Sequence, residues 1–217
     1  MDDDFDFFLG NLPPLPESRE VPADLRERLA GRLPNRLFDY WAQQGWRGYG
    51  GGRVWTVDPL EYADLLALWL RDTQLEGSDD YHVVARSAFG NLRVWGTHTG
   101  ARLNIASSVG YIFIDSDAAE FVRKGQADFA LGVFFGCMTP ANTDLNDEQG
   151  RPLFKRALQK YGPLAHDEMY GFEPSLVLGG SKDLANLRRV KILEHMEFIA
   201  QLRPSRVLDL KRHFAGA

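Results

Sequence analysis

One cysteine, Cys137, stands in the 217 residues, so no internal disulfide can form, which suits a reducing compartment. Its neighbours Phe134 and Phe135 make a small buried thiol the expected reading. No apolar run approaches the roughly 18 residues that a membrane span needs. The start, MDDDFDFFLG, is acidic where an export signal is basic. Nothing is low in complexity, and no segment repeats. Basic charge is also scarce: Lys and Arg number 25 against 30 Asp and Glu, a net charge of −5. That balance is poor for holding phosphates and argues against a nucleic-acid binder. It suits a basic protein partner, because opposite fields speed encounter.

The usual catalytic patterns are missing too. The glycines of RGYGGGR (47–53) lack the Lys-Ser/Thr of a phosphate loop and precede a strand, so they are expected to form a turn. The five histidines, His82, His98, His166, His195 and His213, show no HExxH and no Cys/His cluster at ligand spacing. Ser87, Ser107 and Ser108 lack the GxSxG elbow. The chain is therefore expected to need no cofactor and no metal. LAHDEMYGFEP (164–174) gathers a His, three carboxylates and a Tyr, yet Gly171 and Pro174 break regular structure. The reading is a turn that inserts Met169, Tyr170 and Phe172 into the core.

What is present is a globular pattern, 44% hydrophobic and 25% charged. The first 20 residues carry a net −5 of their own and several prolines, and read as an extended lead-in lying on the body. Short helices are expected over 22–30 and 34–45, the second stopped by Gly45, and another over 60–70. A strand is expected over 53–57. YHVVARSAF (81–89), NLRVWG (91–96), ARLNIAS (101–107) and GYIFID (110–115) read as an antiparallel meander with glycine turns. Helices return over 117–124, 127–135, 152–161 and about 184–202, and the stretch 182–213 is net basic by four charges. The fold class is α+β: a central, mostly antiparallel sheet packed with helices, in two lobes sharing an interface. The expected divisions are 1–20, 21–116 and 117–217.

GPLAHDEMYGFEPSLVLGG (162–180) resembles the C-terminal motif of GAD-like immunity proteins, GPL-x-x-DEMYGF-x-P-x-L-x-LGG. LPNRLFDYWAQQGWRGYGGGRVWTVDPLEY (33–62) is similar to the family's first half, DDYHVVARSAFGNLRVWG (79–96) to its central strands, and LFKRALQKYGPL (153–164) to its link into the motif. The resemblance covers about residues 20–203. It implies a GAD-like domain joined to the C-terminal domain of type VI secretion immunity proteins. It further implies a cytoplasmic, non-enzymatic antidote that binds a nuclease toxin one to one, with GHH or HNH-like enzymes as possible targets. No catalytic role transfers, so Asp167, Glu168, Met169, Tyr170, Gly171 and Phe172 are expected to be structural. An acidic inhibitor can fill a basic nuclease cleft, so candidate contact residues are Asp79 and Asp80, then Asp144, Asp147 and Glu148 in NTDLNDEQG. Asp3, Asp4 and Asp6 around Phe5, with Asp2, Phe7 and Phe8 beside them, form a third group. On the residues alone two other classes stay open: an enzyme using His82 or His166 beside carboxylates, and a regulatory ligand-binding module.

Overall fold

A computed structural model describes residues 2–114 and 118–209. Residues 115–117, inside the expected boundary, and 210–217, the end of the basic stretch, lie outside them. The strands of the first half are β1 (Pro14–Arg19), β2 (Trp46–Tyr49), β3 (Val54–Thr56), β4 (Tyr81–Ser87), β5 (Asn91–Gly96), β6 (Gly100–Ala106) and β7 (Tyr111–Ile114). They form one sheet in chain order, antiparallel throughout, and β10 (Arg206–Asp209) closes its far edge in parallel beside β7. The meander expected over 81–114 is present. Tight turns make antiparallel pairing the near-inevitable product of such strands. The glycine loop is a turn as expected, joining β2 to β3, with Gly50, Gly51 and Gly52 all at positive φ.

Both sheet faces are covered. On one lie α4 (Ala63–Leu70), α7 (Phe154–Tyr161), the two-stranded pair β8 (Glu168–Phe172) and β9 (Leu187–Lys191), and α8 (Ile192–Leu202). Leu92, Val94, Leu103, Ile105 and Ile112 of the sheet meet Trp69, Phe154, Tyr170 and Met196 there. The other face carries α1 (Asp3–Asn11), α2 (Leu25–Arg28), α3 (Asn35–Gln44) and α6 (Ala127–Gly136), with the short α5 (Ala119–Arg123) against α6. Phe5, Phe8, Trp41 and Phe135 pack there on Val84 and Trp95. Like any strand covered on both faces, β4 reaches both cores by alternation, Val83 in one and Val84 in the other; Val84 is an extra residue in the pairing with β5, so Val84 and Ala85 both enter the same core. Each fully buried apolar side chain contributes about 1.5–3 kcal/mol.

Each core therefore contains residues from both halves of the chain, and the interface expected between lobes is the central sheet itself. Four expectations need correction. The lead-in is extended only over β1; residues 3–11 are helical, because Asp2 caps the helix through Phe5 N at 2.9 Å and Phe5 and Phe8 fall on one buried side. Residues 168–172 form a strand, not a turn, paired residue for residue with 187–191. The long helix expected from 184 begins only at Ile192, since 187–191 is that partner strand. Cys137 is exposed, as it follows the last turn of α6.

Candidate interaction surface

The DEMYGF segment proves to be the clasp between the two halves. The Tyr170 N–H donates to Ala88 O in the β4–β5 turn at 2.8 Å, and its hydroxyl donates to Gly162 O at 2.6 Å. Burial pushes that phenol up to about 12. Met169 lies against Gly90, where an added Cβ would meet its Cε at 2.6 Å. Gly171 is similarly required by His195, whose Nε2 would stand 2.6 Å from a Cβ. Phe172 is buried in the same core. Asp167 pairs with Lys191, which holds its carboxyl below the ordinary range. Glu168 accepts from Ala165 N at 2.9 Å and pairs with Arg189 at 3.2 Å. Beneath them the fully buried Arg86 stacks on Trp55 at 4.9 Å and donates to His166 O at 2.8 Å. These contacts hold the motif in the fold, and its end is equally constrained. Gly179 is left-handed at φ +87°, and a Cβ on Gly180 would stand 2.0 Å from Pro174 O.

Most of the expected contact carboxylates are engaged internally. The Asp79 carboxylate is inaccessible and accepts from the N–H groups of His98 and Thr99 and from the Thr99 hydroxyl, closing the β5–β6 turn. Burial alone would raise it, but these bonds hold it below its usual value. Asp144 binds the buried Arg53 and accepts from Phe154 N at the start of α7. Asp147 is closed in by Arg151 and Arg156 and by the N–H groups of Gln149 and Arg151. All three carboxylates are engaged within the fold. Phe5 is buried: it stacks on Tyr40 at 3.8 Å with Phe135 edge-on. Asp80 stays half-exposed near Arg32 and His82, and Glu148 accepts from Ser181 Oγ at 2.8 Å.

Asp3, Asp4 and Asp6 differ. They enter no ion pair among the described residues, and Asp3 and Asp6 are exposed with Phe7 on the outer side of α1. α1 lies against α6 across Gly132 and Gly136, where a Cβ would meet the Asp4 side chain at 2.8 and 3.4 Å. On its other side α6 walls an open groove of about 790 Å³ with α5 and the face of β5 and β6. Phe129 is 52% exposed, Val133 43% and Phe121 41%, and the rings of Phe121 and Phe129 are 5.4 Å apart. Cys137 and Asn104 also line it, as does Arg93. Nothing in the sequence reading singled this groove out. The available signal was ADFALGVFFG (127–136), apolar on every side of one helix, which only a fully enclosed position would hide. Among the described residues no three His, Cys, Asp or Glu side chains are placed to hold a metal ion, and no helix is long and apolar enough to cross a membrane.

An eight-stranded sheet is clad by helices on both faces, and the DEMYGF segment ties the second half of the chain to it. Residues 3–109 match the GAD-like domain family, and residues 128–203 match the family of T6SS immunity protein Tdi1, C-terminal. The chain belongs to the immunity proteins of type VI secretion systems that join these two domains. It is similar in fold to a protein whose structure is described as "Crystal structure of Atu4351 from Agrobacterium tumefaciens", with a TM-score of 0.84 and 23% identity over 95% of this chain and 92% of that one. No curated protein matches the chain.

Proposed function

We propose that this chain binds a nuclease toxin of a type VI secretion system, one to one and in the cytoplasm, and blocks it without catalysis. The observation that carries the reading is the immunity-protein match over residues 128–203. The nuclease class is supported by charge. A DNase cleft is basic because it holds phosphates, and the net −5 of this chain is complementary to it. The exposed carboxylates of α1, Asp3 and Asp6, are the group best placed to stand in for phosphate, since Asp79, Asp144 and Asp147 are bound within the fold. Inhibition then follows from occlusion of the cleft or active site, with no nucleic acid bound by the inhibitor itself.

Co-expression with the toxin domain encoded beside this chain tests the reading, scoring growth, DNA integrity and co-elution. The expected outcome is rescue, intact DNA and a one-to-one complex. Rescue from a toxin that leaves DNA intact on its own would remove the nuclease class while keeping immunity. Absence of both rescue and complex would overturn the binding reading.

A further inference from the structure

We infer that the outer face of α1 is the surface that holds the toxin, with the Phe7 ring as its anchor, and that the matching surface of the toxin is an apolar socket rimmed by lysine or arginine. The inference rests on the toxin-binding reading above. Asp3, Asp6, Phe7 and Gly10 are spaced three and four apart, so they share one side of the helix. Phe5, Phe8 and Leu12 take the opposite side into the core, each at most 1% exposed. On the outer side Phe7 is 57% exposed, and a Cβ on Gly10 would meet no atom within 4 Å, so the flank of the ring towards the next turn is open too. A lone exposed ring is ordinary on a protein surface. This one is set apart by its frame. Asp3 and Asp6 are exposed and enter no ion pair among the described residues, and the helix, DDFDFFLGN, has no Lys or Arg to neutralise them. Carboxylates and ring lie on the same face, so a complementary surface must offer positive charge and an apolar socket together. The support is also preformed. Asp2 caps the helix through Phe5 N at 2.9 Å and pairs with Arg36 at 2.8 Å, so the anchor is presented without an ordering cost at binding. An aromatic side chain on a fixed support is the form that binding hot spots take.

Charge and ring separate kinetically, which makes the test specific. Association and dissociation rates with the toxin are measured at low and high salt for the wild type, for Phe7→Ser and for the double variant Asp3→Asn with Asp6→Asn, with thermal melting as the check on folding. Phe198→Ser serves as the control: that ring is 51% exposed on α8 beside Glu194 and Glu197, but in the net basic stretch 182–213. The double variant is expected to associate about 10-fold more slowly at low salt and to converge on the wild type at high salt. Phe7→Ser should dissociate about 30-fold faster at either salt, and Phe198→Ser should match the wild type. A complex that Phe7→Ser and the double variant both form at wild-type rates would overturn the assignment of α1 and leave toxin binding standing. Loss of affinity in Phe198→Ser alone would overturn it in favour of α8. Failure of the wild type to form any complex would instead sink the binding reading.

Discussion

The Arg53 guanidinium, from the first half of the chain, meets the Asp144 carboxylate, from the second, at 2.7 Å with both side chains less than a tenth exposed. The same guanidinium lies over the Phe154 ring at 4.2 Å and donates to Pro140 O. Removing one member of such a pair strands a charge where water cannot reach it. Asp144→Ala is therefore expected to destabilise by about 3–5 kcal/mol. The double variant Arg53→Met with Asp144→Leu should recover much of that loss. Urea midpoints of the two variants check both statements, and a mild effect of Asp144→Ala would mean the pair is solvated.

Asp147 predicts the acid limb of the stability curve. Burial by itself would raise its pKa, but the N–H groups of Arg151 and Gln149 and the two guanidiniums outweigh it and hold it well below the carboxylate range. The unfolded chain, with a value of about 3.9, then binds more protons than the folded one near that pH. The contribution is full above about pH 4 and is lost as pH falls towards the folded value. Asp147→Asn should thus lower Tm at neutral pH, and the gap to wild type should close steadily below about pH 4. A gap independent of pH would show that charge plays no part at this position.

Phe5 and Phe7 stand two residues apart on α1 with opposite environments, 1% and 57% exposed. Phe5→Ala is expected to cost about 3–5 kcal/mol, the usual range for emptying an aromatic site in a core. Phe7→Ser should stay within about 0.5 kcal/mol. Equal effects in thermal unfolding would contradict the helical placement of residues 3–11.

Two adjacent glycines are expected to respond differently. Gly180→Ala forces a Cβ onto the Pro174 carbonyl and should cost about 1–3 kcal/mol through backbone displacement. Gly179 has open space around its Cβ position, and its demand is left-handed backbone alone. Gly179→Asn should be the better tolerated change, since Asn accepts that conformation. A reversed order of denaturation midpoints would refute the packing argument.

The meander was legible because its strands are β-branched and separated by glycine turns, features that act locally. Leu37, Phe38 and Trp41 announced α3 in the same way, with Gly45 at φ +66° as its stop. β8 was not legible: four of its five residues are buried, so no alternation marks it, and its partner is fifteen residues away. In β9, Arg188, Arg189 and Lys191 mimic the polar side of a helix that continues seamlessly into α8. α1 was masked by its own carboxylates, although Phe5, Phe8 and Leu12 keep a helical interval. Charge alone did not show which carboxylates the fold engages. Asp79, Asp144 and Asp147 looked available because they sit in loops, and loops are where backbone N–H groups most need acceptors.

β10 enters the sheet as its last member, beside β7 and in parallel, after the chain has left that sheet for ninety residues. A gene carrying only the first matched segment would encode a sheet missing β7 and β10 from its edge and α6, α7, α8 and the β8–β9 pair from its faces. One carrying only the second would encode helices with nothing to cover. Recombination that exchanges one segment between relatives must thus preserve two complementary surfaces at once, so diversification is expected to proceed by point changes at exposed positions and not by trading halves.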